Sequence, residues 1–256
     1  LSLPKGFGST EMIYLRLKKL LANVENINDF DKLPIPLRII ATDLNSGKAV
    51  ALSKGDLARA ITASVAIPTI LDPVEIDGNL YVDGLITRNL PVEDVINMGA
   101  DIVIASDVGN EVKDNKDYNI LSVMNQLVTI QSASSTQHQR EMATILISPD
   151  IQSYNATDMK RSREFIALGF EAAQEKIEDI KKLPQKEKSV EIPAAKDNII
   201  IENIVYSQKF SKDKQEIVNN LLDKYKNKPL TTEEMEDIML KLYGIDFINK
   251  IYYEFK

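Results

Sequence analysis

The sequence predicts an α/β fold in two parts, and three observations support this prediction. Over residues 1–183, short apolar runs typical of strands alternate with segments that have helical apolar spacing. Such alternation is typical of a layered α/β domain. Residues 184–197 are charged, contain Pro193 and have no sustained apolar period, so we interpret them as a linker. Residues 198–256 then follow a strand-helix-helix-strand order, which predicts a small α+β domain.

The elements of the first part are predicted from apolar periodicity and turn residues. The strand at 102–105 is expected to be parallel, because it is a continuous apolar run. The polar segment 108–119 is interpreted as a loop. In chain order the prediction is a helix from residue 9, strands at 37–44 and 48–52, a helix at 57–64, a hairpin over 74–82, a helix ending at Gly99, the strand at 102–105, a helix at 120–142, a strand at 144–148 and a helix at 163–183.

The second part is predicted to contain two strands and two helices. The strands are expected at 198–206 and 247–255, and the helices near 213–225 and after Thr231. Two strands make a thin sheet for an independent domain, so we expect a third strand beyond Lys256. The abrupt opening L-S-L-P-K-G is likewise interpreted as a cut inside a larger protein.

Composition excludes several classes of function. The net charge of −7 and the pI of about 5.0 argue against nucleic-acid binding, which needs clustered cations. The absence of cysteine excludes disulfides, thiol catalysis and cysteine-ligated metals. A single histidine, His138, excludes a multi-histidine zinc site and would have to serve any Ser-His-Asp triad. No apolar run approaches the length of a transmembrane helix, and no signal peptide opens the sequence.

The segment 72–92 contains two Asp-Gly pairs that we interpret differently. Asp77-Gly78 lies between two alternating apolar runs and is typical of a tight hairpin turn. Asp83-Gly84 lies at the far end of the returning strand, where a hairpin needs no second turn. A carboxylate held at a strand end is a candidate general base. The alternative is an aspartate that forms a turn or caps a helix.

Other polar residues are interpreted as structural. His138 lies in a polar helical stretch, where a solvated or capping histidine is expected because nothing nearby would tune its pKa. The serines beside it, Ser132, Ser134 and Ser135, lack the sharp turn of an activated nucleophile. The small pair Ala63-Ser64 is expected to pack a helix end near the site. The helix at 163–183 is expected to cover a core, because its polar face mixes charges of both signs. Two aspartates at strand ends, Asp43 and Asp107, are expected to form caps or turns and not metal sites.

Four blocks of the first part together resemble the patatin-like phospholipase family. Their order and spacing match over about residues 1–150. The resemblance implies a three-layer α/β domain, of which this chain holds the C-terminal portion. The blocks are L-P-I-P-L-R-I-I-A-T-D-L at 33–44, G-D-L-A-R-A-I-T-A-S-V-A-I-P-T-I-L-D-P at 55–73, V-D-G-L-I-T-R-N-L-P at 82–91 and G-A-D-I-V-I-A-S-D-V at 99–108.

The resemblance implies ester hydrolysis by a Ser-Asp dyad, with Asp83-Gly84 matching the aspartate motif of the family. Asp83 is thus expected to be the proton acceptor. Leu85 stands where the family usually has Gly or Ala. The sequence contains neither the G-x-S-x-G nucleophile motif nor a glycine-rich oxyanion loop, and the stretch at 6–9 is no nucleophile elbow. We therefore expect the serine to lie upstream of this sequence, and residues 1–256 alone to be inactive and poorly soluble.

Residues 198–256 resemble a POTRA domain, here expected to be truncated. A patatin-like domain followed by POTRA is similar to the type Vd autotransporter phospholipases, which implies a place at the bacterial outer membrane or cell surface, or release as a secreted fragment. The implied activity is that of a lipid acyl hydrolase of the phospholipase A type. It would use no cofactor or metal and would act on phospholipid or another acyl ester at a membrane surface. The resemblance also allows a homo-oligomer. The alternative is a non-catalytic scaffold or interaction module that binds extended segments through the POTRA-like part by strand addition.

Overall fold

The structure is a computed structural model of the 256-residue chain. It describes residues 9–68, 70–109, 120–152, 154, 159–184, 191, 193, 198–206 and 209–253. The stretch at 6–8, most of the predicted loop at 108–119 and most of the predicted linker at 184–197 lie outside these residues. The predicted division of the chain at this linker therefore stays a prediction.

A four-stranded antiparallel sheet forms the centre of the first part, with the strand order β2-β1-β4-β3. Its strands are β1 (Ile39–Asp43), β2 (Lys48–Leu52), β3 (Val74–Ile76) and β4 (Asn79–Asp83). The predicted hairpin is confirmed, because β3 and β4 pair across a turn in which Asp77 and Gly78 both have positive φ, at 51° and 80°. Two consecutive residues of positive φ match the twist of paired strands.

One helix packs directly on this sheet, and a second helix packs on the first. α1 (Glu11–Leu20) packs on α2 (Leu57–Ser64), and α2 packs on β1, β3 and β4. α2 begins where the Asp56 side chain accepts a hydrogen bond from the Arg59 N–H, which satisfies one of the free donors of a helix start. Its end is closely packed, since Ala63 and Ala66 are fully buried against the sheet.

A parallel pair of strands lies in the same part of the chain. It consists of β5 (Ile104–Ser106) and β6 (Ile145–Ile147), which confirms the parallel strand expected from the apolar run. The helices around it are α3 (Val92–Asn97), α4 (Ile120–Met142), α5 (Ser162–Glu175) and α6 (Ile177–Lys181).

The single core-covering helix predicted at 163–183 is wrong in two respects. The segment forms two helices, because α5 ends at Glu175 and α6 starts at Ile177. Neither helix has a buried residue, and Ile166 and Phe170 of α5 are 72% and 64% exposed. Half-buried side chains such as Leu168 lie on the opposite face, where α5 approaches β6. α5 therefore lies at the surface with two large apolar side chains facing outward.

The second part packs on the first through a shared core. α7 (Lys212–Leu222) and α8 (Thr232–Tyr243) supply buried side chains that meet Tyr14 and Leu15 of α1. α8 begins with a capping box in which Thr231 and Glu234 satisfy each other's backbone N–H groups. Within the described residues, α8 therefore rests on α1, and the second part does not form a core of its own.

The strands predicted at 198–206 and 247–255 are absent from the described residues. One isolated bridge joins Ile199 to Leu230, with both N–H···O distances at 2.8 Å. The apolar side chains that predicted these strands pack instead on the shared core of α1, α7 and α8, among them Ile201, Ile204 and Phe247. Burial explains the apolar pattern without strand pairing.

A buried polar network joins the C-terminal residues to α1 and α2. The Lys18 ammonium lies 3.4 Å from Glu25 and 3.8 Å from Asp56, beneath the ring of Tyr253. The Tyr253 hydroxyl donates to Glu25 at 2.6 Å. Burial and the neighbouring Glu25 raise the pKa of Tyr253, so its hydroxyl stays protonated and keeps donating.

In the described part of the chain, no helix is both long and apolar enough to cross a bilayer.

We expect Gly78→Ala to destabilise the protein by about 1–2 kcal/mol, because a β-carbon strains a left-handed backbone. Nothing lies within 4 Å of the position, so backbone conformation alone would account for the loss. Gly169→Ala is the matched control. It also adds a methyl group into open space, but in the middle of α5, where alanine should stabilise by about 0.5–1 kcal/mol. Urea unfolding measures both variants, and equal effects would contradict the assigned turn.

Candidate functional site

Asp83 is the last residue of β4 and lies at the point where the strand turns into a short 3-10 helix, Gly84–Ile86. Its Oδ1 accepts a hydrogen bond from the Leu85 N–H at 2.9 Å, so the carboxylate caps this helix. The Asp83 N–H donates to the Ala66 carbonyl at 3.0 Å, just beyond the end of α2. The structure therefore confirms the capping role considered from the sequence, and Oδ2 has no hydrogen-bond partner among the described residues.

The turn after Asp83 requires glycine for steric reasons. A β-carbon at Gly84 would lie 2.6 Å from the Ile40 carbonyl oxygen and 3.0 Å from the Ile40 carbonyl carbon. Such distances are shorter than any van der Waals contact, so any side chain would push β1 and the turn apart. The Asp-Gly motif thus reflects close approach of two backbones, since Gly84 is not among the glycines with positive φ.

Asp83 faces a groove of about 270 Å³ between β1, the end of α2 and the segment 84–91. The volume is close to the lower end of the range of small-ligand sites. Leu85, which stands where the patatin-like family usually has Gly or Ala, supplies part of the apolar wall. Among the described lining residues, Asp83 is the only carboxylate, and the apolar walls come from Ile39, Ile40, Ile61, Val65, Leu85 and Pro91.

The electrostatics of the groove leave Asp83 without an ion pair among the described residues. Two arginines line the same groove, but each has its own carboxylate partner. Arg38 pairs with Asp31 at 2.7 Å, and Arg88 pairs with Asp94 at 2.7 Å. Burial raises the pKa of Asp83, and the Leu85 N–H offsets this in part by stabilising the charged form. A raised carboxylate pKa makes the group a better proton acceptor once it is ionised.

His138 and the described serines beside it do not line this groove. His138 lies on an exposed face of α4. Ser132 and Ser135 donate to carbonyls of their own helix, Thr129 and Ser132, and the side chain of Ser134 lies outside the described part. A helical setting differs from the strained turn of an activated serine.

The structural roles predicted for Asp43 and Asp107 are confirmed. Asp43 accepts hydrogen bonds from two N–H groups of the β1–β2 turn, at 2.7 and 3.0 Å. Asp107 accepts from the Gly109 N–H and forms an ion pair with Arg140. Among the described residues, no cluster of three or more potential metal ligands is present.

Sequence reasoning missed the contribution of two hydroxyl groups. The Thr42 hydroxyl donates to the Asp83 carbonyl at 2.9 Å and contacts the Thr87 hydroxyl at 2.9 Å. Ser64, expected only to pack a helix end, lines the groove and donates to the Ile40 carbonyl at 2.6 Å. All three contacts join residues 24 to 45 positions apart in the sequence, so no local pattern indicates them.

We expect Gly84→Ala to destabilise the protein by about 1–3 kcal/mol, because the new methyl group would overlap the backbone of Ile40. Gly244→Ala is the control, since its methyl group would meet carbonyl oxygens at an ordinary 3.5 Å. Chemical unfolding compares the two variants. A loss at position 84 no larger than the loss at position 244 would show that the turn does not approach β1 closely.

Asp83→Asn should stabilise the protein at pH 7, because it removes a charge whose burial is unfavourable and keeps an oxygen for the Leu85 N–H. The folded-state pKa is raised above 3.8, so the wild type loses stability as pH rises through that folded pKa. The advantage of the variant should therefore vanish below about pH 3.8, where both states of the wild type are protonated. Thermal unfolding across this pH range measures it. A variant less stable than wild type at pH 7 would contradict the buried-charge account.

Comparison with known proteins gives a match over the part of the chain that contains this groove. Residues 1–96 match the family model described as patatin-like phospholipase. Uncharacterized NTE family proteins of Mycobacterium bovis and Mycobacterium tuberculosis are each 43% identical over 94 residues, which is 36% of this chain and 26% of each relative. The patatin-like phospholipase domain-containing protein 7 of Mus musculus is 33% identical over 94 residues, which is 35% of this chain and 7% of that protein.

The chain thus spans about a quarter of the length of the mycobacterial relatives that it matches. The matched segment includes the four-stranded sheet, α2, Asp83 and the groove. The mixed architecture of sheet and helices is consistent with a patatin-like α/β domain. The N-terminal part of this chain is thus similar to patatin-like phospholipases.

Proposed function

We propose that this chain carries the aspartate of a Ser-Asp dyad in a lipid acyl hydrolase of the phospholipase A type. The observation that carries the proposal is the setting of Asp83. Its carboxylate is half-buried, oriented by one backbone N–H and free of an ion pair among the described residues, and it faces a groove with apolar walls. The similarity of residues 1–96 to patatin-like phospholipases supports the same function.

In this mechanism Asp83 acts as the general base. Oδ1 is held by the Leu85 N–H, so Oδ2 is the atom that accepts the proton of the serine hydroxyl. The serine oxygen then attacks the ester carbonyl carbon, and the leaving alkoxide takes the proton back from Asp83 as the acyl-enzyme forms. Water, deprotonated by the same carboxylate, hydrolyses the acyl-enzyme and regenerates the serine.

The nucleophile is proposed to come from outside residues 1–256, because no G-x-S-x-G motif occurs in them. The same proposal makes residues 1–256 alone inactive. The groove supports an acyl-chain substrate, because half of its lining residues are apolar, among them Leu85 beside Asp83. Its remaining charged residues, Arg38 and Arg88, are already paired with carboxylates.

A second proposal concerns the C-terminal part of the chain. We propose that residues 198–256 are a POTRA-like module, as in type Vd autotransporters at the bacterial cell surface. α7 lies between the two residues of the Ile199–Leu230 bridge and α8 follows it, an order that supports the proposal. Strand addition at 198–206 would extend that bridge into a pair of strands. Hydrogen exchange on the complete polypeptide tests this, since a strand would protect alternate amides of 198–206. Uniformly fast exchange there would contradict it.

Asp83→Asn in the complete polypeptide that includes these residues should lower ester hydrolysis by about 10²–10⁴-fold, the usual contribution of a general base. Asp77→Asn is the matched control, because it makes the same chemical change in the hairpin turn, where asparagine tolerates a positive φ. Initial rates with a short-chain and a long-chain acyl ester measure the effect. Hydrolysis by Asp83→Asn within about twofold of wild type would refute the base assignment.

A further inference from the structure

The end of the β1–β4 ladder leaves one carbonyl of β1 without a strand partner. The register pairs Ala41 with Asp83 and Thr42 with Val82, so the next pair would join Ile40 to Gly84. β4 ends at Asp83, however, and Gly84 begins the short 3-10 helix. The Ser64 hydroxyl, at the end of α2, takes the place of the missing strand donor and lies 2.6 Å from the Ile40 oxygen.

Two groups therefore converge on the same oxygen atom. The Ser64 hydroxyl holds the Ile40 carbonyl from the α2 side, and the Cα of Gly84 packs against it from the turn. A second bond ties the segment just after α2 to β4, since the Asp83 N–H donates to the Ala66 carbonyl. The position of the Asp83 backbone is thus fixed by the end of α2 as well as by β1.

The orientation of the Ser64 side chain contrasts with that of its neighbour in α2. Thr62 donates to the Ala58 carbonyl of its own helix at 2.7 Å, which is the usual local bond of a hydroxyl in a helix. Ser64 forms a bond with a residue 24 positions away in the sequence. Among the described residues, the bond of the Thr62 hydroxyl thus stays within α2, whereas the hydroxyl of Ser64 links the helix to the sheet beside the groove.

We propose that Ser64 is a positioning residue, which sets the location of Asp83 by holding the Ile40 carbonyl against the Gly84 turn. The proposal rests on the proposed function of Asp83 as a base. Ser64 would not be the nucleophile, because its proton is donated to a backbone carbonyl and not to Asp83. Its contribution would be to the geometry of the proton transfer, where misplacement of the base slows the reaction.

The test uses four variants of the complete polypeptide: Ser64→Ala, Ser64→Thr, the control Thr62→Val and the reference Asp83→Asn. Ser64→Ala should lower kcat by about tenfold, the scale of one hydrogen bond, with KM changed by less than about twofold. Ser64→Thr, which keeps a hydroxyl, should recover most of kcat. Thr62→Val should match wild type, because it removes a hydroxyl of the same helix that makes only a local bond.

Amide hydrogen exchange at Asp83 and Leu85 gives a readout that does not depend on activity. The Asp83 amide donates to the Ala66 carbonyl, and the Leu85 amide donates to the Asp83 carboxylate. Ser64→Ala should therefore speed the exchange of both amides by about tenfold, and Thr62→Val should not. Unchanged exchange or unchanged kcat in Ser64→Ala would overturn the positioning role. If Ser64→Ala were no longer labelled by a serine-directed fluorophosphonate, the positioning role would also be overturned, because Ser64 would then be the nucleophile. If Asp83→Asn keeps full activity while exchange in Ser64→Ala changes, the proposed function fails and the structural role of Ser64 stands.

Discussion

The contact between Gly84 and the Ile40 carbonyl is the constraint on which the geometry of this groove depends. The backbone of the turn approaches β1 so closely that no β-carbon fits, and this lets β4 end at Asp83 while remaining against the sheet. The carboxylate is then held by the first turn of a short helix and does not extend along the strand. Ser64 and Thr42 secure the same region from α2 and from β1. The requirement for glycine thus follows from the close approach of the turn to β1, and this approach places the Asp83 carboxylate beside the groove.

The setting of Asp83 is unfavourable for stability and suitable for a base. Three other aspartates near β5 or the groove are neutralised by arginines, namely Asp31, Asp94 and Asp107. Asp83 has one backbone N–H and a raised pKa, so its charge is maintained with little compensation among the described residues. Groups in such unfavourable surroundings are concentrated at functional sites. The contrast between paired and unpaired carboxylates is therefore the main physical argument for its role.

Local patterns in the sequence predicted the first part well and the second part poorly. The Asp77-Gly78 turn, the two strands it joins and the helix at 120–142 follow from turn chemistry and apolar period, and each is present. The apolar residues at 198–206 have the same kind of pattern, but they pack on helices without pairing as strands. Periodicity reports that a side chain is buried and not what buries it. Asp83 could be singled out because its motif is local, whereas the bonds from Ser64 and Thr42 depend on tertiary contacts over 24 and 41 residues.

Labelling with a serine-directed fluorophosphonate, followed by mapping of the modified residue, tests the central claim most directly. The complete polypeptide should be labelled at one serine outside residues 1–256, and Asp83→Asn should slow this labelling by about 10²-fold or more, because the serine would lose its base. Labelling at a serine within these residues, or at an unchanged rate in Asp83→Asn, would contradict the assignment of Asp83 as the base of a Ser-Asp dyad.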